Sequence, residues 1–282
     1  MILVVLFWAT VATAFKIALR YTSPLQLLFF GSFVATMILF LALYVQKKLY
    51  LIRAYTKKEV AFAALMGFIN PFIFYFILFI AYDLLPAQVA MVLNYTWPIT
   101  LTLLSIPFLK QNIRFMNVLA IIVSFAGVVI ISTGGRFTSF GNLNPTGVGL
   151  ALLSTVIWAG FWILNIKDKH DELVKLFYSF SFGFVYTAIT LPFFSGYTIP
   201  PLKGILSLVY VGTFEMGLTY VIWLKALNLS RTTAQVSNLI FLIPFLSLVI
   251  IRIVLKEEIF ISSLFGLIFI ITGIILQQRF SG

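Results

Sequence analysis

The sequence predicts an all-α integral membrane protein of ten transmembrane helices, arranged as two inverted five-helix repeats. Three observations carry that prediction: apolar runs of membrane-spanning length recur along the whole chain, Lys and Arg gather in alternate loops, and the first half matches the second in order. Of 282 residues, 62% are apolar and 10% charged, against roughly 25% charged in a soluble domain. A soluble globule of this size needs more polar surface than this chain supplies. Each apolar run is close to the roughly 20 residues that a helix needs to cross about 30 Å of hydrocarbon.

The expected spans are 1–19, 24–46, 59–81, 86–109, 115–133, 146–165, 173–194, 203–225, 231–255 and 258–278. The first could be mistaken for a signal peptide, but it lacks a basic leading region and ends in Lys16-Ile17-Ala18-Leu19-Arg20, a poor cleavage site. It is expected to be retained. Residues 47–58 form a basic loop, and 134–145, with Gly134, Gly135, Gly141 and Pro145, form a turn-rich linker. With the N-terminus inside, cytoplasmic loops and the C-terminal tail hold 13 Lys and Arg, and the opposite side holds six. That bias predicts both termini in the cytoplasm of a cell whose inner (plasma) membrane holds the chain.

The repeat emerges when residues 1–133 are slid over 146–278. Trp8-Ala9 falls on Trp158-Ala159, Ala87-Gln88-Val89 on Ala234-Gln235-Val236, Pro98 on Pro244, and Gly127 on Gly273. The turn Lys110-Gln111-Asn112 falls on Lys256-Glu257-Glu258. The expected domains are therefore 1–133 and 146–282, joined by the linker. Because each unit has five spans, the second enters the membrane upside down. Inverted repeats are typical of secondary transporters, with the substrate near the midplane.

Composition also excludes. There are no cysteines, so disulfides and thiolate metal sites are out. The net charge of +11 is explained by loop topology, which removes the case for a nucleic-acid partner. No Walker loop, dinucleotide fingerprint, HExxH or nucleophile motif occurs, so neither an enzyme nor a cofactor is predicted. His170 sits among Lys167, Asp168, Lys169, Asp171 and Glu172; this reads as a solvated loop, and a lone imidazole builds no metal site.

Within the spans, Glu215 stands about 12 residues into the eighth. An ionisable group at that depth costs about 2.5–3.5 kcal/mol on insertion scales, so it must face the bundle interior or water. It is a candidate to bind a substrate ammonium or exchange a proton; a protonated packing acid is the plainer alternative. Lys16, near the end of the first span, either snorkels to the headgroups or attracts a carboxylate. In Asn94-Tyr95-Thr96-Trp97-Pro98 the proline removes a backbone bond and displaces the Asn94 carbonyl. Asn94 and Trp97 are thus pocket candidates, and Pro244 with Asn238 repeats the device in span nine. Trp158 and Trp162, four apart, share a helix face, and Trp8 is the repeat counterpart of Trp158; Trp158 lies too deep for an interfacial anchor, and these rings either form an aromatic wall or serve as bulky packing residues. Tyr75 and Tyr220 extend this aromatic wall. Trp223 reads as an anchor, and Asn70-Pro71 as a kink in span three.

These residues resemble the drug/metabolite transporter superfamily, in its EamA-domain branch. The resemblance rests on Phe7-Trp8-Ala9-Thr10, Phe15-Lys16-Ile17-Ala18-Leu19, the prolines of spans four and nine, Lys256-Glu257-Glu258 and Gly273. It covers essentially the whole chain. Met91 through Pro98 is similar to a stretch of the aromatic and neutral amino-acid exporters. The first half departs from the pattern at Lys110-Gln111-Asn112, where the family often carries an acid. The resemblance implies a helical basket with a central cavity, alternating access, and export of small metabolites. Its expected partners are a small-molecule substrate and the lipid bilayer; multidrug efflux is the runner-up, and a membrane enzyme acting on lipid is a distant third. Coupling to protons, direction of flux and oligomeric state stay open.

Overall fold

The structure, a computed structural model, describes residues 2–109, 115–132, 143–196, 199–229 and 242–280. Among them all regular structure is helical. Seven helical runs are long and apolar enough to cross a membrane: Ile2–Leu19, Pro24–Val45, Lys57–Leu84, Ala87–Phe108, Pro145–Asn165, Glu172–Phe194 and Leu202–Trp223. Three shorter apolar helices, Val118–Ile131, Ile243–Leu255 and Ile261–Leu276, fall where spans five, nine and ten are expected. The turn at Lys110 and the residues Ala234 to Asn238 lie outside the described residues.

The helices are α1 (Ile2–Leu19), α2 (Pro24–Val45), α3 (Leu49–Arg53), α4 (Lys57–Gly67), α5 (Phe74–Leu84), α6 (Ala87–Asn94) and α7 (Trp97–Leu109). They continue with α8 (Phe115–Ser132), α9 (Pro145–Lys167), α10 (Glu172–Phe194), α11 (Leu202–Tyr210), α12 (Leu218–Leu229), α13 (Ile243–Ile250) and α14 (Ile261–Phe280). A kinked segment (Phe68–Ile73), in which Asn70 leaves helical geometry, joins α4 to α5; wider π-helical turns join α11 to α12 (Val211–Glu215) and extend α13 (Ile251–Leu255). The chain packs as two compact units. One holds residues 1–79 and 168–247, the other 80–167 and 248–282.

Local chemistry sets the helix starts. Ser23 and Gln26 form a reciprocal capping box at α2, with Pro24 just inside it. Thr56 and Glu59 do the same at α4, and Asp171 accepts from the Leu173 and Val174 amides at α10. In the first unit α4 and the following kinked segment lie on α10 through glycines. A Cβ on Gly67 would come within 2.6 Å of the Ser179 carbonyl oxygen, and one on Gly183 would strike the Pro71 ring. Gly31 and Gly212 bring α2 against the π turn before α12.

In the second unit α8 and α14 meet along Gly127, Gly266 and Gly273, so these small residues serve an internal contact. The same unit joins two motifs of the repeat. The Gln88 amide donates to the Glu258 carbonyl at 2.7 Å and its oxygen accepts from the Phe260 amide at 2.8 Å. Glu257 Oε1 accepts from Ala87 N–H at 3.2 Å, at the start of α6. Thus Ala87-Gln88 and the Lys256-Glu257-Glu258 turn lock onto each other.

Two loop readings change. The basic loop 47–58 contains the short helix α3. His170 is half-buried rather than freely solvated: Nδ1 faces Asp168 Oδ1 at 2.5 Å, Nε2 faces Glu59 Oε1 at 3.1 Å, and the ring lies 4.4 Å from the Tyr55 ring. Lys48 pairs with Asp171 at 2.7 Å beside it. These bonds tie the segment before α4 to the start of α10.

Two predictions follow from this packing. Gly127→Leu places a side chain where a Cβ already meets the Gly266 carbonyl oxygen at 2.6 Å; overpacking of this kind costs about 1–3 kcal/mol, read as a lowered melting temperature in detergent, whereas Val128→Leu on the same helix is expected to cost less. The hydrogen bond to Asp168 holds the His170 imidazole above its ordinary value. Its contribution is therefore complete below about pH 6.5 and is lost as pH rises through the raised value. The melting-temperature advantage of the wild type over His170→Gln should be largest near pH 5.5 and shrink as pH rises through the raised value.

Candidate functional site

Two helix breaks build the site in the first unit. Span eight changes from α11 to the wider turn at Val211, where the Met216 amide bonds the Val211 carbonyl five residues back at 3.2 Å. Glu215 is the last residue of that turn. Span three is kinked at Phe68–Ile73, where Asn70 leaves helical geometry and the Phe74 amide bonds the Ile69 carbonyl. Single π turns inside α-helices are frequent at functional sites because they re-aim side chains without ending the helix. Here both breaks serve one contact. The Tyr75 hydroxyl, just past the first break, donates to Glu215 Oε1 at 3.0 Å.

Around that bond the side chains are aromatic. Tyr75 is fully buried and Tyr220 nearly so. The Tyr220 hydroxyl lies 3.5 Å from that of Tyr75, at the outer limit of a hydrogen bond. Because the Tyr75 proton is directed to Glu215, Tyr220 is the donor in this pair. Trp8 packs edge-on against Tyr220 at 6.0 Å and lies 5.6 Å from Trp223. On the other side of Glu215, Phe214 stacks 4.7 Å from both Phe7 and Tyr210. Thr10 Oγ1 donates to the Phe7 carbonyl and accepts from the Tyr210 hydroxyl at 2.7 Å, which holds α1 against α11. Glu215, Tyr75, Tyr220 and Trp8 are thus one connected cluster. Trp223 joins it through its ring contact with Trp8.

The remaining candidates are placed elsewhere. In the second unit the fourth span breaks at Tyr95 and Thr96, between α6 and α7, where the proline argument puts a disturbance. Asn94 Nδ2 donates to Ser154 Oγ at 3.0 Å, so its amide joins α6 to α9, and Thr100 and Thr155 meet at 2.9 Å one turn on. Trp158 and Trp162 do share a face of α9, edge to face at 5.8 Å, and the Trp162 indole N–H is buried without an acceptor among the described residues. Trp97 is half-buried at the start of α7, and Lys16 is half-buried near the end of α1. Asn238 lies outside the described residues. Among the described residues no cluster of three His, Cys, Asp or Glu could hold a metal.

The EamA-like transporter family matches residues 1–133 and again 145–277. The chain belongs to that family. It is a multi-pass membrane transporter, with a small-molecule substrate and a lipid environment. An uncharacterized transporter of Clostridium kluyveri is 33% identical over 61% of this chain and 58% of that protein, so that match spans less than two thirds of the relative. The uncharacterized transporter YvbV of Bacillus subtilis is 28% identical over 96% of this chain and 88% of its own length. Protein PecM of Dickeya dadantii is 25% identical over 77% of this transporter. A solved crystal structure superposes on it with a TM-score of 0.69, covering 99% of this chain and 95% of the other at 20% identity, which speaks to the fold alone.

Sequence reasoning ranked Glu215 first but did not pair it with Tyr75, because residues 140 positions apart carry no mutual signal in one chain. In this transporter Tyr75→Phe leaves the Glu215 carboxyl without its phenol donor. A neutral hydrogen bond contributes about 0.5–1.5 kcal/mol net, so Tyr75→Phe should lower unfolding stability of the substrate-free protein in detergent by about that much. Glu215→Gln, which keeps an acceptor for Tyr75, should lower it less.

Proposed function

We propose that this transporter exports amino acids or similar small amphipathic metabolites by alternating access. In this reading ten spans form two inverted five-helix repeats, 1–133 and 146–282, around a central cavity, with 134–145 as the connection. The membrane is the inner (plasma) membrane, with both termini cytoplasmic. The observation that carries the proposal is the Tyr75–Glu215 bond, held at the breaks of two spans and flanked by Trp8, Tyr220 and Phe214. A carboxylate beside aromatic faces suits an ammonium group attached to an apolar body. Transporters commonly place substrates where spanning helices are discontinuous.

Glu215 takes the substrate ammonium, or a proton in its place when the site is empty, which would couple transport to a proton gradient. Asn94, Trp97, Trp158, Trp162, Asn238 and Lys16 are proposed to complete the substrate path. A second reading, multidrug efflux, is favoured by the same rings, because Trp8, Tyr220 and Trp223 also suit organic cations that lack a carboxylate.

Proteoliposomes holding the purified chain, given radiolabelled amino acids, should accumulate at least one of them above empty vesicles. Glu215→Gln should reduce that uptake about tenfold or more, equivalent to about 1.4 kcal/mol. Uptake equal to empty vesicles across a broad amino-acid panel sinks this substrate class; transport of organic cations alone would select the second reading.

A further inference from the structure

Two apolar helix faces in the first unit run into the same cluster of cations. On α2 the exposed side chains Phe33, Met37, Phe40 and Tyr44 repeat at helical spacing along one face, which ends beside Lys47. On span three the exposed Phe68, Leu65 and Ala61 form a similar row, which ends at Lys57 and Lys58 in the first turn of α4. Between these two ends α3 exposes Tyr50 and Arg53, three apart on one face. Tyrosines at the ends of apolar rows suit the headgroup layer, where a ring meets hydrocarbon and its hydroxyl meets water.

The acids at this end of the unit are already engaged. Asp168 and Glu59 hold the two nitrogens of His170. Asp171 takes Lys48 at 2.7 Å, and Glu172 takes Lys175 at 2.7 Å. Lys47, Arg53, Lys57 and Lys58 are exposed and have no acidic partner among the described residues. Topology explains why cations gather in this loop, but it gives these four no counter-charge. The segment is also held in place rather than loose. The Tyr178 hydroxyl of α10 donates to the Ile52 carbonyl of α3 at 2.9 Å, and the Lys48–Asp171 pair fixes the turn before it. A patch that is already ordered loses less entropy when it binds.

We infer that residues 47–58 form a binding surface for anionic phospholipid. Lys47, Arg53, Lys57 and Lys58 take the headgroup phosphates, and the acyl chains lie along the open rows of α2 and span three. Clusters of four or more Lys and Arg directly beside a span attract anionic headgroups. The two rows decide for a lipid over a soluble anion, because they place the cations directly over apolar surface that an acyl chain can cover. Long basic side chains reach the phosphates while their stems stay on that surface. This surface is separate from the Glu215 cluster and does not depend on what the transporter carries.

The test uses the full chain in nanodiscs of phosphatidylcholine, alone or mixed with phosphatidylglycerol. The anionic lipid should raise the melting temperature of the wild type, and the rise should shrink as salt is added. Native mass spectrometry should find phosphatidylglycerol retained in preference to phosphatidylcholine. Lys47→Gln/Arg53→Gln/Lys57→Gln/Lys58→Gln should weaken that preference about tenfold, near 1.4 kcal/mol, and remove most of the rise. A charge-matched comparison controls for net charge. Lys57→Gln/Lys58→Gln should lose more of the preference than Arg20→Gln/Lys203→Gln, whose exposed cations flank Tyr21 and Gly204 at the opposite end of α2. Each comparison is between two lipids for one variant, so a general loss of stability cancels. Equal retention of both lipids by the wild type, or equal losses from the two pairs, overturns the inference. So does a full rise produced by glycerol phosphate in pure phosphatidylcholine, which would make the ligand a soluble anion.

Discussion

Inside hydrocarbon no water relieves an unpaired peptide group, so every backbone N–H and C=O must find its partner within the protein. That constraint makes the described part of this chain helical throughout. It also decides where helices are allowed to break. Span eight passes through a π turn in which the Met216 amide bonds the carbonyl of the fifth residue back instead of the fourth, so backbone pairing is largely kept. Span three is kinked instead, at Asn70, whose backbone leaves helical geometry. Tyr75, just past that kink, and Glu215, at the end of the π turn, meet in one hydrogen bond.

Close packing without a hydrophobic driving force follows the same logic. Lipid tails are as apolar as leucine, so helices gain by approaching until van der Waals contact and interhelical hydrogen bonds are large. Glycines mark those approaches: Gly67 and Gly183 on α4 and α10, Gly31 and Gly212 on α2 and span eight, Gly127 and Gly266 on α8 and α14. Polar side chains are spent on the same joints. Gln88 serves the turn at Glu258 and Phe260, and Asn94 serves Ser154. The Tyr75–Glu215 bond belongs to this economy yet differs from it, because one partner is an acid, and an acid is an expensive way to join two helices.

Much of this was legible in residue order. Spans were readable because a run of apolar residues has one meaning at a length of about 20; span three was expected at 59–81 and runs from Lys57 to Leu84. The depth of Glu215 was readable from its distance to the span ends. The disturbance before Pro98 was readable from the missing N–H. Other features were not. Trp223 was read from its depth alone, which does not reveal that its ring packs against Trp8. His170 was read from its charged neighbours in sequence; Glu59, more than a hundred residues away, turned a loop into a clasp.

By itself, the sequence determined the membrane as solvent, the helical class, the rough limits of the long apolar helices, and which few polar residues had to be accounted for. Those properties follow from transfer free energy and backbone chemistry, which act residue by residue. Tertiary structure alone decided which polar groups bond each other, which glycines touch a neighbouring backbone, and that Asn70 finds neither donor nor acceptor among the described residues. These depend on the rotation and crossing of whole helices, set by the sum of many weak contacts between segments far apart in the chain, and no local pattern encodes that sum.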